Sequence, residues 1–534
     1  MKRILAAALT AGAMLVPVPA QAADSYVPIS GAGSTWSQVA IDAWRADVRA
    51  SGVVVNFAGT GSTDGRSQFI QGTVDFANTE IPFQNPPEPG QQAETPSRDY
   101  AYLPVVAGGT SFMYNLTVGG QRVRDLRLSG TTLAKIFTGA ITRWSDPAIK
   151  ADYGKALPDI PIIPVVRSDG AGASAQFALY MRSQANSIYC PFIRDKLHLG
   201  GSDCPSVSFY PSFGNSKAQV GSNGVANYVS ASYGAGSIGY VEYAYAKRID
   251  FPVVSLLNKA GYYTQPTAGN VAVALTGAEV NPKTLTQDLE GTYTNKDPRT
   301  YPMSSYSYMV IPTSTDQPFN ADKGKTLSTF INYFLCAGQQ KADILGYSPL
   351  PKNLVEAGFD QVKRIPGAVA SPPISQCNNP ALNILQSAPQ PPACMQVGKT
   401  CDGTTGTGGA GGTGGTGGTG GTGGTGGTGG TGGTGGTGTT GGTGGGGAGG
   451  NAPGAVDPLT GASTGGAVDP ATGAVTASAT PITLTGGRSG QAKAAAWVAA
   501  IALALTVMVP PFLIRRNSRK SVARGGTGGR PVGT

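Results

Sequence analysis

The sequence predicts an α/β protein of two lobes, followed by a long stretch with no fold of its own. Short β-branched or aromatic runs alternate with segments of helical period between residues 23 and about 385, the pattern of strands covered by helices. That stretch is too long for one lobe and suits two. Beyond it glycine takes over: the chain has 80 glycines in 534 residues and only 13% charged residues, a composition that cannot bury a core throughout.

The chain opens with Lys2 and Arg3, an apolar run to Val16 and the small-residue site Ala20-Gln21-Ala22. This reads as a secretory signal peptide over residues 1–22, with the mature chain starting near Ala23. No cysteine follows the apolar run, so no lipid anchor is expected there.

In the part expected to fold, "VVVNFAGT", "PIIPVV", "SIGYVEY" and "SYMVIP" read as strands, and residues 36–48 and 132–137 as helices. Three glycine turns stand at helix starts. "RSDGAGAS" carries Arg167 from a strand into the helix "AQFALYMRS". "GAGSTW" precedes "SQVAIDAWRADV", and "GTGSTDG" joins "VVVNFAG" to "RSQFIQ". A helix N-terminus offers unpaired N–H groups and the positive end of the dipole, so each turn favours an anion. Thr35 and Ser62 in such turns are also ordinary helix caps. Three turns of one design point further than capping.

Six cysteines, Cys190, Cys204, Cys336, Cys377, Cys394 and Cys401, read as disulfides in an exported chain, and pairing in chain order is the simplest scheme. No Cys-x-x-Cys occurs and His198 is the only histidine, so neither a zinc site nor a histidine-based triad is expected. Gly324-Lys325-Thr326 imitates the end of a phosphate loop, but Phe319 stands where the first glycine must be. No enzyme is expected; an enzyme acting on phosphate esters would lack a metal cluster and a general-base histidine.

After the folded part runs "GGTGGTGGTGG", then two near-copies of one phrase, "AVDPLTGA" and "AVDPATGA". Two glycines per triplet without proline exclude collagen, and no apolar residues offset the entropy of ordering. Residues 402–490 are therefore expected to form a disordered linker, with a root-mean-square span of about 50 Å and a stretched limit of about 300 Å. Residues 494–514 carry no charge and match a bilayer core as one transmembrane helix. The basic tail 515–534, with Arg515, Arg516, Arg519 and Lys520, places that end in the cytoplasm. This tail also carries much of the net charge of +9, so the folded part is not a nucleic-acid surface.

"GAGSTW", "GTGSTDGRSQFIQGTVDFANTE", "GAITRWSDPAI", "VVRSDGAGAS" and "GSIGYVEYAYAK" together resemble the phosphate-binding proteins that feed ABC phosphate transporters, over roughly residues 29–354. The resemblance implies a type II periplasmic-binding-protein fold: two α/β lobes joined by two crossover strands, with residues 23–104 and 301–390 in lobe I and 105–300 in lobe II. It implies inorganic phosphate as ligand, an ABC permease as partner and no cofactor or metal. It places Thr35, the backbone of Trp36, Ser62, Glu80, Arg167, Ala171, Gly172 and Ala173 on the phosphate, with Asp169 holding Arg167. Glu80 stands where the family usually has Asp, accepting the proton of the bound anion. Ala171 and Ala173 replace hydroxyl residues of the family, with Ser168 and Ser174 as nearby substitutes. The expected function is an exported, membrane-tethered, non-enzymatic phosphate-binding protein at the cell surface. The alternative is a tethered receptor or adhesion module of the same fold with a changed or lost ligand.

Overall fold

The computed structural model describes residues 25–401 and, separately, residues 467–468 and 475–476. The signal peptide 1–22, the span 494–514 and the tail 515–534 lie outside the described residues, as does the linker 402–490 apart from those four residues. In that linker Ala467–Val468 pairs antiparallel with Val475–Thr476, a short ladder where the sequence predicts coil. Among the described residues no helix is long and apolar enough to cross a membrane.

The first lobe begins with β1 (Ile29–Gly33), α1 (Gln38–Arg49), β2 (Val55–Ala58), α2 (Ser62–Ile70) and β3 (Phe76–Thr79). β1 runs parallel to both β2 and β3. The long strand β4 (Tyr100–Tyr114) then leaves for the second lobe, which holds β5 (Ile163–Arg167), α3 (Gly172–Leu197), β6 (Lys217–Gln219), α4 (Gly221–Ser230) and β7 (Ser237–Glu242). A further helix, α5 (Ala268–Leu275), precedes the return strand β8 (Ser304–Pro312), and α6 (Ala321–Leu335), α7 (Lys352–Val362) and α8 (Ala381–Ser387) follow.

The main sheet has the order β2-β1-β3-β8-β4-β7-β5-β6. β4 pairs with β8 over Tyr100 to Gly109 and with β7 over Thr110 to Tyr114, so one strand serves both halves. The changeover needs bare backbone: a Cβ on Gly108 would come within 2.7 Å of the Trp36 ring, and one on Gly109 within 2.5 Å of Pro266.

Each half has its own aromatic core. Trp44 of α1 stacks on Phe334 of α6 in the first, and Phe112, Phe137, Phe177 and Tyr240 meet edge to face or tilted in the second. Fully burying one such ring stabilises by about 2–3 kcal/mol before ordering costs. The parallel strands β1, β2, β5 and β6 all end in turns that open helices. This is the end of an α/β sheet where ligands bind.

Three disulfides join Cys190 to Cys204, Cys336 to Cys377 and Cys394 to Cys401, the chain-order pairing. Two of them belong to a strap that follows α7. Cys377 ties the strap beside α6, and Asn379 donates to the carbonyl of Leu350 at 2.9 Å. α8 then packs on α5, where a Cβ on Gly269 would stand 2.8 Å from that of Ala388. Farther on, Val397 N–H donates to Gly261 and Arg127 donates to the carbonyls of Cys394 and Lys399. Through α8 the strap thus reaches α5, a helix from the stretch expected in lobe II.

Candidate functional site

The site grows from the turns at the ends of β1, β2, β5 and β6. After β1, Gly33 at φ +132° brings the backbone against Asn78, where a Cβ would lie 2.1 Å from the carbonyl oxygen. Ser34 donates its hydroxyl to Glu80, and its oxygen accepts the Trp36 N–H at 2.9 Å. The Thr35 hydroxyl oxygen accepts the Ser222 N–H at 3.0 Å and lies 3.1 Å from the Ser222 hydroxyl. α1 starts only after Ser37, so Thr35 is not its cap.

Ser62 is the first residue of α2, behind Gly61. Its hydroxyl donates to Glu80 Oε2 at 2.7 Å and accepts the Gly172 N–H at 3.1 Å. Ser62 therefore does not cap its own helix; it takes the first N–H of α3 and joins α2 to the start of that helix.

Glu80 follows β3 and is 2% exposed, which removes the reading of a solvated loop residue. Ser307 of β8 adds a third hydroxyl at 3.1 Å. Burial pushes the Glu80 carboxyl above its ordinary value, and the hydroxyls of Ser34, Ser62 and Ser307 together with Arg167 offset only part of that. A carboxyl so placed holds or shares a proton readily.

Arg167 ends β5 and is 3% exposed. Its Nε donates to Asp169 Oδ1 at 2.7 Å, and Nη2 pairs with Asp169 Oδ2. Burial works against the guanidinium, but the Asp169 pair outweighs it and holds its pKa above the ordinary value. For Asp169, burial raises and Arg167 lowers, with a net lowering. The pair is ionised, fixed and close to neutral in sum.

α3 starts at Gly172 because only bare backbone fits: a Cβ there would lie 2.4 Å from Glu80 Oε2. Ala173 is buried beside it. The Ala171 N–H donates to the Ser208 carbonyl at 3.0 Å, as those of Trp36 and Gly172 donate to the Ser34 and Ser62 hydroxyls. Of the substitutes near the two alanines, Ser168 is exposed, and the Ser174 hydroxyl is engaged with Tyr240 at 2.7 Å.

Thr35, Trp36, Ser62, Glu80, Arg167, Asp169, Gly172 and Ala173 are thus brought together where the two lobes meet. Sequence reasoning missed Ser34, Ser307 and Ser222. The signal for Ser222 was present: "VGSNG" follows a strand and opens α4, a fourth turn of the same design, with Gly221 at φ +67° and its N–H on Asp169 at 2.9 Å. His198 lies exposed at the far end of α3, and among the described residues no cluster of metal-ligating side chains occurs. The arrangement is suited to hold a small oxyanion with N–H, O–H and guanidinium donors, and to read its proton at Glu80.

A model of the PBP superfamily domain matches residues 18–337. The phosphate-binding protein PstS of Xylella fastidiosa (strain Temecula1 / ATCC 700964) is 32% identical over 333 residues, covering 62% of this chain and 83% of that protein. The phosphate-binding protein PstS 2 of Mycobacterium tuberculosis is 29% identical over 310 residues, covering 57% and 77%. Among solved structures, a high affinity periplasmic phosphate-binding protein (PfluDING) bound with phosphate aligns with a TM-score of 0.49 at 16% identity, over 65% of this chain and 100% of that one.

Proposed function

Because this chain belongs to the PBP superfamily and, within it, to the phosphate-binding proteins called PstS, we propose that it captures inorganic phosphate between its two lobes outside the cytoplasm and delivers it to an ABC permease. The observation that carries this reading is the buried constellation of Arg167 held by Asp169, facing Glu80 among serine hydroxyls and helix N-termini. The Arg167 guanidinium supplies donors to the oxyanion, and the N–H groups of Trp36 and Gly172, which here donate to the Ser34 and Ser62 hydroxyls, turn to it when it binds. Glu80 supplies the one acceptor, which a protonated phosphate can satisfy and sulfate, fully ionised, cannot. The proton is then shared between carboxyl and ligand, and the raised Glu80 pKa favours that sharing.

The remaining segments extend the proposal. The signal peptide 1–22 exports the chain, residues 402–490 tether it, and the span 494–514 with its basic tail anchors it, so that the binding domain works on the outer side of the membrane while staying attached. The fold is used for binding and not for catalysis.

Calorimetric titration of the full chain with inorganic phosphate and with sulfate tests this. Phosphate is expected to bind and sulfate to be refused. Arg167→Ala is expected to abolish binding with the fold intact, and Glu80→Gln to admit sulfate. Unchanged phosphate affinity in Arg167→Ala would remove the arginine, and with it this reading of the site.

A further inference from the structure

Where the resemblance expects two hydroxyls, this chain has Ala171 and Ala173; of the neighbouring serines, Ser168 is exposed and the Ser174 hydroxyl pairs with that of Tyr240. The donors nearest to the remaining face of Arg167 come from another element. Arg167 spends Nε and Nη2 on Asp169, and its Nη1 has Ser222 Oγ at 3.5 Å. Ser222 is 1% exposed and opens α4, a helix from the outermost strand–turn–helix unit of the second lobe.

From this geometry we infer that Ser222 is a further anion-binding residue of this site, supplying the hydroxyl that Ala171 and Ala173 lack; the inference rests on the phosphate reading above. The hydrogen-bond bookkeeping favours it. Ser222 N–H is spent on Thr35 Oγ1. Its hydroxyl oxygen accepts from Arg167 Nη1, and when the Thr35 hydroxyl donates in the pair at 3.1 Å the Ser222 hydrogen is left for an oxygen of the anion. Among the described residues Nη1 has no hydrogen-bond partner closer than this hydroxyl. Gly221 permits the approach: its left-handed φ of +67° turns the chain so that its N–H reaches Asp169 and the next residue reaches Thr35. The site has moved a donor from one helix start to another, restoring one of the two hydroxyls near the guanidinium.

The contact of Ser222 with Thr35 also joins the lobes, and the test must separate that role from ligand contact. Inorganic phosphate is titrated into the full chain, into Ser222→Ala, and into Ser222→Ala carrying Ala173→Ser as well, with thermal unfolding run alongside. Loss of one hydrogen bond to a charged ligand is expected to weaken binding of Ser222→Ala at least about tenfold. Ala173→Ser cannot restore the Thr35 contact, yet it returns a hydroxyl to the site, and it is expected to recover most of that loss. Affinity of Ser222→Ala within about twofold of the parent overturns the inference, and so does a loss that Ala173→Ser leaves unrepaired, since Ser222 then acts through the lobe contact alone. If the parent chain binds no phosphate, the functional reading itself fails and this one with it, a result distinct from a binding parent with an indifferent Ser222→Ala.

Discussion

Glu242 shows how much a single buried side chain can weigh. It ends β7 opposite Thr110, is fully buried, and stands where a Cβ on Gly108 would touch its carboxyl at 2.9 Å. Burial pushes its pKa well above the ordinary 4.5, more than the nearby N–H group of Ala244 lowers it, and Glu80 raises it further. The folded form therefore keeps this proton to higher pH than the unfolded chain does. The stability Glu242 provides is complete below its ordinary 4.5 and is lost as pH rises through the raised folded value. Glu242→Gln cannot ionise, so its melting temperature is expected to gain on that of the parent as pH is raised from about 5 to about 8. A constant difference between the two across that series would show a solvated carboxylate instead. At this scale the sequence was readable where chemistry and motif coincide, as at Arg167, Asp169, Ser62 and Gly172. It was silent on Glu242 and Ser307, because burial is a property of what packs around a residue and leaves no mark on its neighbours in the chain. A backbone N–H likewise has no sequence signature for the carbonyl it meets, as that of Ala171 meets Ser208.

The strand–turn–helix unit is the element from which the site is assembled. Its legibility came from a change of period, from alternating β-branched residues to helical spacing, with glycine at the break. β2 to α2 and β5 to α3 followed that rule, while β1, ISGAG, showed only its glycines and the helix after them. The unit β6 to α4 obeys it too, but β6 is only three residues long and too short to announce itself as a strand. Gly221 tests how strictly the rule binds. Its φ of +67° is one that a β-branched residue avoids, and a Cβ there would press on Thr35 Cγ2 at 3.3 Å. Gly221→Val is expected to cost about 1–3 kcal/mol of stability, read from the midpoint of denaturant unfolding. A midpoint equal to that of the parent would mean that the turn relaxes without strain. Helix boundaries moved little, as at α1, which starts at Gln38 where the spacing suggested Trp36.

The two halves are joined by more than the shared strand β4 and its partner β8. The strap of residues 363–401 is anchored beside α6 by the bridge from Cys336 to Cys377 and reaches α5 through α8 within a few residues of that bridge. Composition gave no hint of how it packs: proline and glutamine recur there without period, and only the cysteines marked points of attachment. Removing the bridge by Cys336→Ser with Cys377→Ser is expected to cost about 2–4 kcal/mol and to lower the melting temperature in the scanning calorimeter. A melting temperature equal to that of the parent would mean that packing alone holds the strap. The last bridge, from Cys394 to Cys401, closes a small ring that Arg127 grips by two carbonyls and Gly261 by a third contact. A load arriving along the chain from beyond Cys401 crosses the sulfur bridge straight to Cys394 and bypasses the ring. The strap then cannot unravel from its outer end, and a tug is met by several bonds sheared at once.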